Sequence, residues 1–446
     1  MTPAARAQAV IELLEGVQPA LSGNGPALDV LVRRYFAARR YAGAKDRAAI
    51  TEDLYDIIRH LAELSWAVQV AQRGKARGKA DFRELLLAKL AYRDRFDMAE
   101  IESLFSGVGH APEPLDAHER KLAEALGSID KTPPEAVLVE CPHWLEPYFR
   151  RRFGATFANQ MAALLGRAPL GLRVNTLRTT RQAVIDVLRA EGLDPQPAAF
   201  APDGLILDGN PRLDDLGLIR DGWVEIQDEG SQVAALLIEA EPRLQIADLC
   251  AGAGGKTLAM AAAMENTGQI YAFDSDGKRL DNLRERMKRA DARNIQIQRL
   301  PQAGDKRDSI LAQFAGRMDR VVLDVPCSGS GTWRRSPELR WQLSEDNLKS
   351  LISIQSTLLR EGAELVKPGG RLVYITCSLL VEENEDRIAA FLAKNPDFRV
   401  LPYTVAWPEK AGVLPETAAI HGDCLLLTPG THGTDGFFVA VLERTD

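Results

Sequence analysis

A chain of 446 residues, 46% hydrophobic and 26% charged, is long enough for two or three domains and apolar enough to bury a core. Its formal net charge of −7 argues against a uniformly basic nucleic-acid binder, and no run approaches the roughly 18–20 uninterrupted apolar residues of a membrane helix. Cys141, Cys250, Cys327, Cys377 and Cys424 are scattered, with no C-x-x-C spacing and no nearby histidine in a zinc-like pattern. That distribution points to free thiols in a reducing, cytoplasmic compartment and to no bound metal.

Residues 1–17 interleave apolar positions with Arg6, Glu12 and Glu15, which predicts an amphipathic helix rather than the apolar core of a signal peptide. Apolar residues recur at three- and four-residue spacing through 27–36, 50–70 and 82–90, so residues 1–135 are predicted to form a helical domain. Between residues 33 and 95 there are 15 basic and 8 acidic residues, a local positive excess inside an acidic chain. Part of it lies in the Gly-interrupted loop that carries Arg73, Lys75, Arg77 and Lys79. That loop reads either as a solvated linker or as a contact to RNA phosphates. Screening confines each charge to about 8–10 Å, so a local basic face still counts. Prolines at 112, 114, 133 and 134 close the domain.

The pattern changes at Cys141. Strands at 170–175 and 204–207 flank a helix at 180–191, which predicts a small α+β module over 141–220. From 221 to 446, strand candidates at 245–249, 269–273, 295–298, 320–323, 371–375 and 437–442 are mostly separated by helices. Alternating β and α implies a Rossmann-like α/β domain with a mostly parallel sheet covered on both faces.

The first strand of that domain runs into Cys250-Ala251-Gly252-Ala253-Gly254-Gly255-Lys256-Thr257 and then into an Ala-rich helix. Strand, Gly-rich turn and helix bring bare backbone against a nucleotide-like ligand. A Walker loop would need glycine where Cys250 stands, and a dinucleotide fingerprint would need glycine where Thr257 stands. Asp274, at the end of the next strand, lies about 20 residues past the glycines, where an acid can bind ribose hydroxyls. A ribose without a required pyrophosphate fits S-adenosyl-L-methionine best.

Two cysteines follow strands of the same sheet, Cys327 in Asp324-Val325-Pro326-Cys327-Ser328-Gly329 and Cys377 in Thr376-Cys377-Ser378. Open α/β sheets present their ligand-facing residues at the carboxyl ends of strands, so topology places both thiols at the active edge. Carbon 5 of cytosine is a poor nucleophile toward a sulfonium methyl. A thiolate adding at carbon 6 pushes electrons onto carbon 5, and a second thiol can assist when the first is expelled. Asp324 is the available acid beside the ring. Cys141, Cys250 and Cys424 read as structural thiols.

These residues give the chain its resemblance to the Sun/Nop-type RNA cytosine-5 methyltransferases, especially the bacterial 16S ribosomal-RNA members. The resemblance spans about 144–444, through VEIQDEGSQ from Val224, DLCAGAGGKT from Asp248, DVPCSGSGTWRR from Asp324, LVKPGGRLVYITCS from Leu365 with EENED from Glu382, and TDGFFVAVLER from Thr434. It implies that Cys377 is the nucleophile, that Cys327 assists release and that Asp324 contacts the target cytosine. It also implies cofactor contacts from the turn Cys250, Ala251, Gly252, Ala253, Gly254 and Gly255, from Lys256, Asp274 and Arg279, and from Asp324 at its edge. The segment LGLRVNT from Leu170 resembles an RNA-recognition module, and the helical domain a NusB-like one. Two positions depart from the family pattern. Ala253 stands where proline is usual, which predicts a more flexible turn. The acid that meets the adenine amine is displaced to Asp305, leaving Gln302 as the other candidate through its side-chain carbonyl. The expected protein is a monomeric ribosomal-RNA methyltransferase with no membrane partner. A transfer-RNA enzyme and a catalytically silent RNA-binding assembly factor are the alternatives, the latter disfavoured by the intact Cys327, Cys377 and Asp324.

Overall fold

The computed structural model describes all residues except 22, 24, 74–80, 210, 212, 410 and 446. Lys75, Arg77 and Lys79 of the basic loop therefore lie outside the described residues. The chain forms two compact units, one of Met1–Gly166 with Trp333–Ser344, the other of Arg167–Thr332 with Glu345–Asp446. Among the described residues no helix is long and apolar enough to cross a membrane.

In the first unit, helices Pro3–Leu21, Leu28–Ala37, Ala44–Arg59, Leu61–Ala71, Phe82–Ala88 and Ala117–Gly127 bury Val10, Leu14, Ile50, Leu54, Leu64, Leu87 and Leu126 in one core. Asp81, Asp97 and Asp116 each begin a helix with a glutamate three residues on, and all three pairs close capping boxes that satisfy otherwise orphaned N–H groups. The apolar run over 50–70 is two helices rather than one. His60 leaves the helical conformation, with φ −114° and ψ 29°. The carboxylate of Glu140 then caps the second helix, accepting Ala62 N–H at 2.7 Å and Glu63 N–H at 2.9 Å. Periodicity is blind to this break because the capping acid is 78 residues downstream of Ala62.

The segment Trp333–Ser344 belongs to this unit, which is thus wider than the span 1–135 marked by helical periodicity. Trp333 is fully buried, edge-to-face with Phe149 at 5.4 Å between ring centroids, and the Arg340 guanidinium lies 4.6 Å from its ring centre. Trp341 Nε1–H donates to Ile58 O at 3.0 Å. Five of the basic residues between 33 and 95 are paired inside the unit, three of them with acids outside that span. Arg33 pairs with Asp29, Arg39 with Glu12, Arg83 with Glu119, Lys89 with Asp94 and Arg93 with Glu63.

The second unit holds two sheets. β1 (Leu170–Val174), β2 (Gln196–Pro197), β3 (Gly204–Leu207) and β4 (Val224–Ile226) pair antiparallel in the order β2-β3-β1-β4. Helix Arg181–Ala190 covers them, setting Val184, Ile185 and Leu188 against Leu172, Val174 and Leu205. β4 lies past residue 220 yet pairs with β1, and its three residues are too few to show an alternating pattern.

The larger sheet runs β5 (Gln245–Asp248), β6 (Gln269–Asp274), β7 (Ile295–Arg299), β8 (Met318–Asp324), β9 (Val366–Thr376), β10 (Phe398–Leu401), β11 (Leu425–Leu427) and β12 (Phe437–Arg444) in chain order. Its spatial order is β10-β12-β9-β8-β5-β6-β7, with β11 also paired to β12. β5 to β9 are mutually parallel, and β10, β11 and β12 add antiparallel pairings at one side. This is the expected mostly parallel Rossmann-like sheet. Its central strands bury Ile246, Ala247, Val321, Val322, Val373 and Ile375 completely, as strands covered on both faces must. Strand order reverses between β5 and β8, so the crevice at their carboxyl ends is the topological switch point where such sheets bind ligands. Asp324 of β8 is in register with Ile375 of β9, which sets the loops that follow them side by side.

Candidate active site

The glycine turn leaves β5 at Asp248 and is tied on every side. Ala251 N–H donates to Phe273 O at 2.9 Å, and Gly254 N–H to Ala251 O at 2.8 Å. Gly254 caps helix Gly255–Ala263 at φ +89°, and a Cβ there would lie 2.2 Å from Leu283 Cδ1, so only glycine fits. Arg286 Nη1 donates to Ala253 O at 2.7 Å, and Arg173 Nη1, from β1, donates to Gly255 O at 2.6 Å. The turn is therefore braced through its carbonyls, which do not depend on the side chain at 253. Burial lowers the Arg173 guanidinium to about 10, with the nearby Glu225 carboxylate opposing.

Asp274 closes the turn from β6. Its Oδ2 accepts Gly252 N–H at 2.9 Å and its Oδ1 accepts Asp276 N–H at 2.8 Å. A Cβ built on Gly252 would meet nothing nearer than Cys250 O at 4.0 Å, so this part of the turn leaves room for a ligand. A carboxylate with spare lone pairs beside open, glycine-bared backbone fits a ribose-bearing cofactor. Asp248 beneath the turn is fully buried. Burial and the neighbouring Asp324 charge push its carboxyl up to about 7, against the Thr257 hydroxyl bond and the Lys256 charge. The thiol of Cys250 is pushed well up by burial and by the charges of Asp248, Asp324 and Asp274, which makes it a poor nucleophile.

Lys256 extends from the helix behind the turn and donates to Asp324 Oδ2 at 2.7 Å, with its ammonium 5.0 Å from the centre of the Phe437 ring. Three residues past Asp324, Cys327 Sγ lies 3.4 Å from Cys377 Sγ. The Cys327 thiol is pushed well above its ordinary value by the bond to Cys377, by burial and by the charges of Cys377 and Glu383. The two loops approach so closely because Gly331 N–H donates to Cys377 O at 2.9 Å and Gly436 N–H to Gly331 O at 2.8 Å. A Cβ on Gly331 would lie 2.4 Å from Gly436 O.

One carboxylate, absent from the residues singled out by sequence, joins these loops. Glu383 is fully buried and accepts from Ser328 N–H and Gln355 Nε2 at 2.9 Å and from the Ser328 and Ser378 hydroxyls at 2.5 Å. It lies inside the EENED block, but nothing in that acidic run distinguishes a buried glutamate from a solvated one.

The structure thus gathers Cys250, Ala251, Gly252, Ala253, Gly254, Gly255, Lys256, Asp274, Asp324, Cys327 and Cys377 at the carboxyl edge of one sheet. Three further expected residues are exposed. The Arg279 side chain is 65% exposed, 3.9 Å from Asp276. Gln302 lies in the turn after β7, whose Leu300 N–H donates to Asp274 O at 2.9 Å and whose Pro301 carbonyl is held by Arg307 at 2.7 Å, and Asp305 opens helix Asp305–Ala312. Among the described residues no group of three His, Cys, Asp or Glu could hold a metal ion.

A Rossmann-like sheet whose switch point carries a glycine turn, with an acid at the end of the next strand, has the form of a nucleoside-binding site, and the thiol pair beside it has the form of a reaction centre. Comparison with known proteins narrows this reading. Residues 235–443 match the family model of the 16S rRNA methyltransferase RsmB/F, and residues 141–214 match an RsmF/B-like, ferredoxin-like domain. A Synechocystis protein named "probable ribosomal RNA small subunit methyltransferase B" is 32% identical, over 90% of this chain and 91% of its own length. A Vibrio cholerae ribosomal RNA small subunit methyltransferase B is 28% identical, over 92% of each chain. The crystal structure of PH0851 superposes with a TM-score of 0.79 at 26% identity, covering 100% of this chain and 99% of that one. The chain belongs to the RsmB/F family of ribosomal-RNA methyltransferases.

Proposed function

We propose that this protein methylates carbon 5 of a cytosine in 16S ribosomal RNA through a transient bond between Cys377 and carbon 6 of the base. The observation that carries the reading is the thiol pair 3.4 Å apart, at the ends of adjacent parallel strands and a few residues from the Lys256–Asp324 bond. The 16S substrate is drawn from the small-subunit relatives.

Gly252, Gly254, Gly255 and Asp274 would hold S-adenosylmethionine, with Gln302 or Asp305 toward its adenine. Bound there, the cofactor supplies an electrophilic methyl carbon. The chain's own residues do the rest. Cys377, as thiolate, forms the S–C6 bond and drives an electron pair toward carbon 5. Asp324, oriented by Lys256, accepts from the amine edge of the ring, and the Lys256 ammonium beside it meets the negative charge that the electron pair brings. Once carbon 5 carries the methyl, a solvent water takes its proton, the C5=C6 bond reforms and the S–C6 electron pair returns to Cys377. Cys327, kept as a thiol, stands beside that departing sulfur and assists its release. The protein is taken to act as a cytoplasmic monomer, which light scattering of the purified chain checks.

The test is the asymmetry between the cysteines. Cys377→Ala should abolish methyl transfer and form no adduct. Cys327→Ala should trap a covalent protein–RNA species through Cys377, retarded on a denaturing gel. An adduct in Cys377→Ala but not in Cys327→Ala would exchange the roles. Full activity in both variants would end the covalent reading.

A further inference from the structure

We propose that Glu383 is the positioning residue that holds the two cysteine loops to one another and so sets the spacing between Cys327 and Cys377. This rests on the proposed two-cysteine reaction for its functional meaning, but not for its geometry. The immediate neighbours of the two thiols bond to Glu383, from both loops. Ser328, next to Cys327, gives Glu383 both its backbone N–H, at 2.9 Å, and its hydroxyl, at 2.5 Å. Ser378, next to Cys377, gives its hydroxyl to the same Oε2 at 2.5 Å.

The surrounding bonds close the frame. Gln355 spans Glu383 Oε1 at 2.9 Å and Pro326 O at 3.0 Å, so the residue before Cys327 is held as well as the one after it. Asn384 does the same for Cys377, accepting from Thr376 Oγ1 at 2.6 Å and donating to Ser378 O at 2.8 Å. Ser330 Oγ accepts Leu379 N–H at 2.9 Å, and Ser378 Oγ accepts Leu380 N–H at 3.0 Å.

The proton inventory explains why this position needs a carboxylate. Four donors converge on it, and only an anion offers acceptors to all four without presenting a proton of its own. The Ser328 and Ser378 hydroxyls have one proton each and commit both to Oε2. The Ser330 hydroxyl, 3.2 Å from each of the other two, supplies the remaining donor. An amide at 383 would turn an N–H toward a donor, and a buried network that is partly satisfied costs more than its share of bonds. The charge has a second effect in the same place. After the Cys377 bond, burial and the Cys377 charge, the Glu383 charge helps keep Cys327 a thiol, the form from which a releasing group acts.

The experiment reads the spacing and the reaction separately. Phenylarsine oxide bridges two thiols only when they are adjacent, and peptide mapping of the full-length protein reports the Cys327–Cys377 bridge without any methyl transfer. In Glu383→Gln and Glu383→Ala, bridging should weaken by about tenfold or more, as the loops lose their common acceptor. In the same variants kcat for methyl transfer should fall about 100-fold, the scale of a reacting group misplaced by an ångström, with KM for S-adenosylmethionine and RNA within about threefold. Ser328→Ala and Ser378→Ala should move both readouts less and in the same direction, and Ser378→Ala should add little to Glu383→Gln. Wild-type bridging in both Glu383 variants overturns the proposal, as does a kcat loss matched by an equal loss of cofactor affinity, which would mark a general structural role. If the Glu383 variants do not fold, wild-type bridging in both serine variants overturns it. Should Cys377→Ala still methylate, the covalent reading fails while the bridging result stands on its own.

Discussion

Lys256 donates to Asp324 Oδ2 at 2.7 Å, and this single bond joins the helix behind the glycine turn to the strand that leads into the Cys327 loop. Lys256 is nearly buried while Asp324 remains partly exposed, so the acid is fixed in place and still reachable. Lys256→Met keeps the apolar stem near Phe437 but removes the charge. It should lower the single-turnover methyl-transfer rate by about 100-fold, the scale of a lost proton-handling partner. If the two residues act as one device, Lys256→Met with Asp324→Ala should be no slower than the worse single variant. Multiplicative losses would show that they act independently.

Asp274 should govern cofactor affinity. A hydrogen bond to a charged acceptor contributes about 1.5–3 kcal/mol, so Asp274→Ala should raise the dissociation constant of S-adenosylmethionine by roughly 10- to 100-fold. Part of the loss will come through Gly252, whose N–H is left without its acceptor. Calorimetry on Gln302→Ala and Asp305→Ala then decides the adenine contact. Weakening by the first alone assigns it to Gln302, and by the second alone to Asp305.

Glu140 makes stability depend on pH with a definite sign. Burial pushes its carboxyl from 4.5 up to about 7, against the bonds from Glu63 and Ala62 and the attraction of Arg340 and His60. The unfolded chain therefore releases this proton first, and the folded state binds more protons between those values. The stability it contributes is fully present below the unfolded value and is lost as pH rises toward the folded one, by up to roughly 3 kcal/mol. Glu140→Gln cannot titrate. Urea unfolding should show the wild type losing ground to the variant across that window, and a constant difference between them would refute the account.

The basic loop should bind RNA phosphates. Arg73→Ala, Lys75→Ala, Arg77→Ala and Lys79→Ala together should weaken RNA binding and flatten its dependence on salt, by about 0.7–0.9 in log–log slope for each phosphate no longer neutralised. Arg83→Ala and Arg93→Ala should change the slope little, because Glu119 and Glu63 already hold those guanidinium groups. An unchanged slope in the fourfold variant would leave the loop a solvated linker.

The larger sheet was legible because strands buried on both faces are written as apolar runs, and the glycine turn because only glycine suits Gly254. The two cysteines were legible because each follows such a run. What escaped was long-range. The break at His60 depends on an acid far down the chain, and β4 is too short to carry a period. Glu383 is one of several acids in a row, and only the fold shows that four donors meet there. The net positive count over 33–95 also could not reveal that Arg33, Arg39 and Arg83 are paired with acids outside that span.

Trp333–Ser344 bears on how the protein is made. The helices at the start of the chain emerge first from the ribosome, yet Leu28 N–H meets Glu338 only after 310 further residues, and Ile58 O meets Trp341 only after 283. The nascent helical unit must wait, its core open where Trp341 will sit, until most of the second unit has been translated. A fragment cut anywhere between Gly166 and Trp333 would keep that opening permanently, whatever helices it contained.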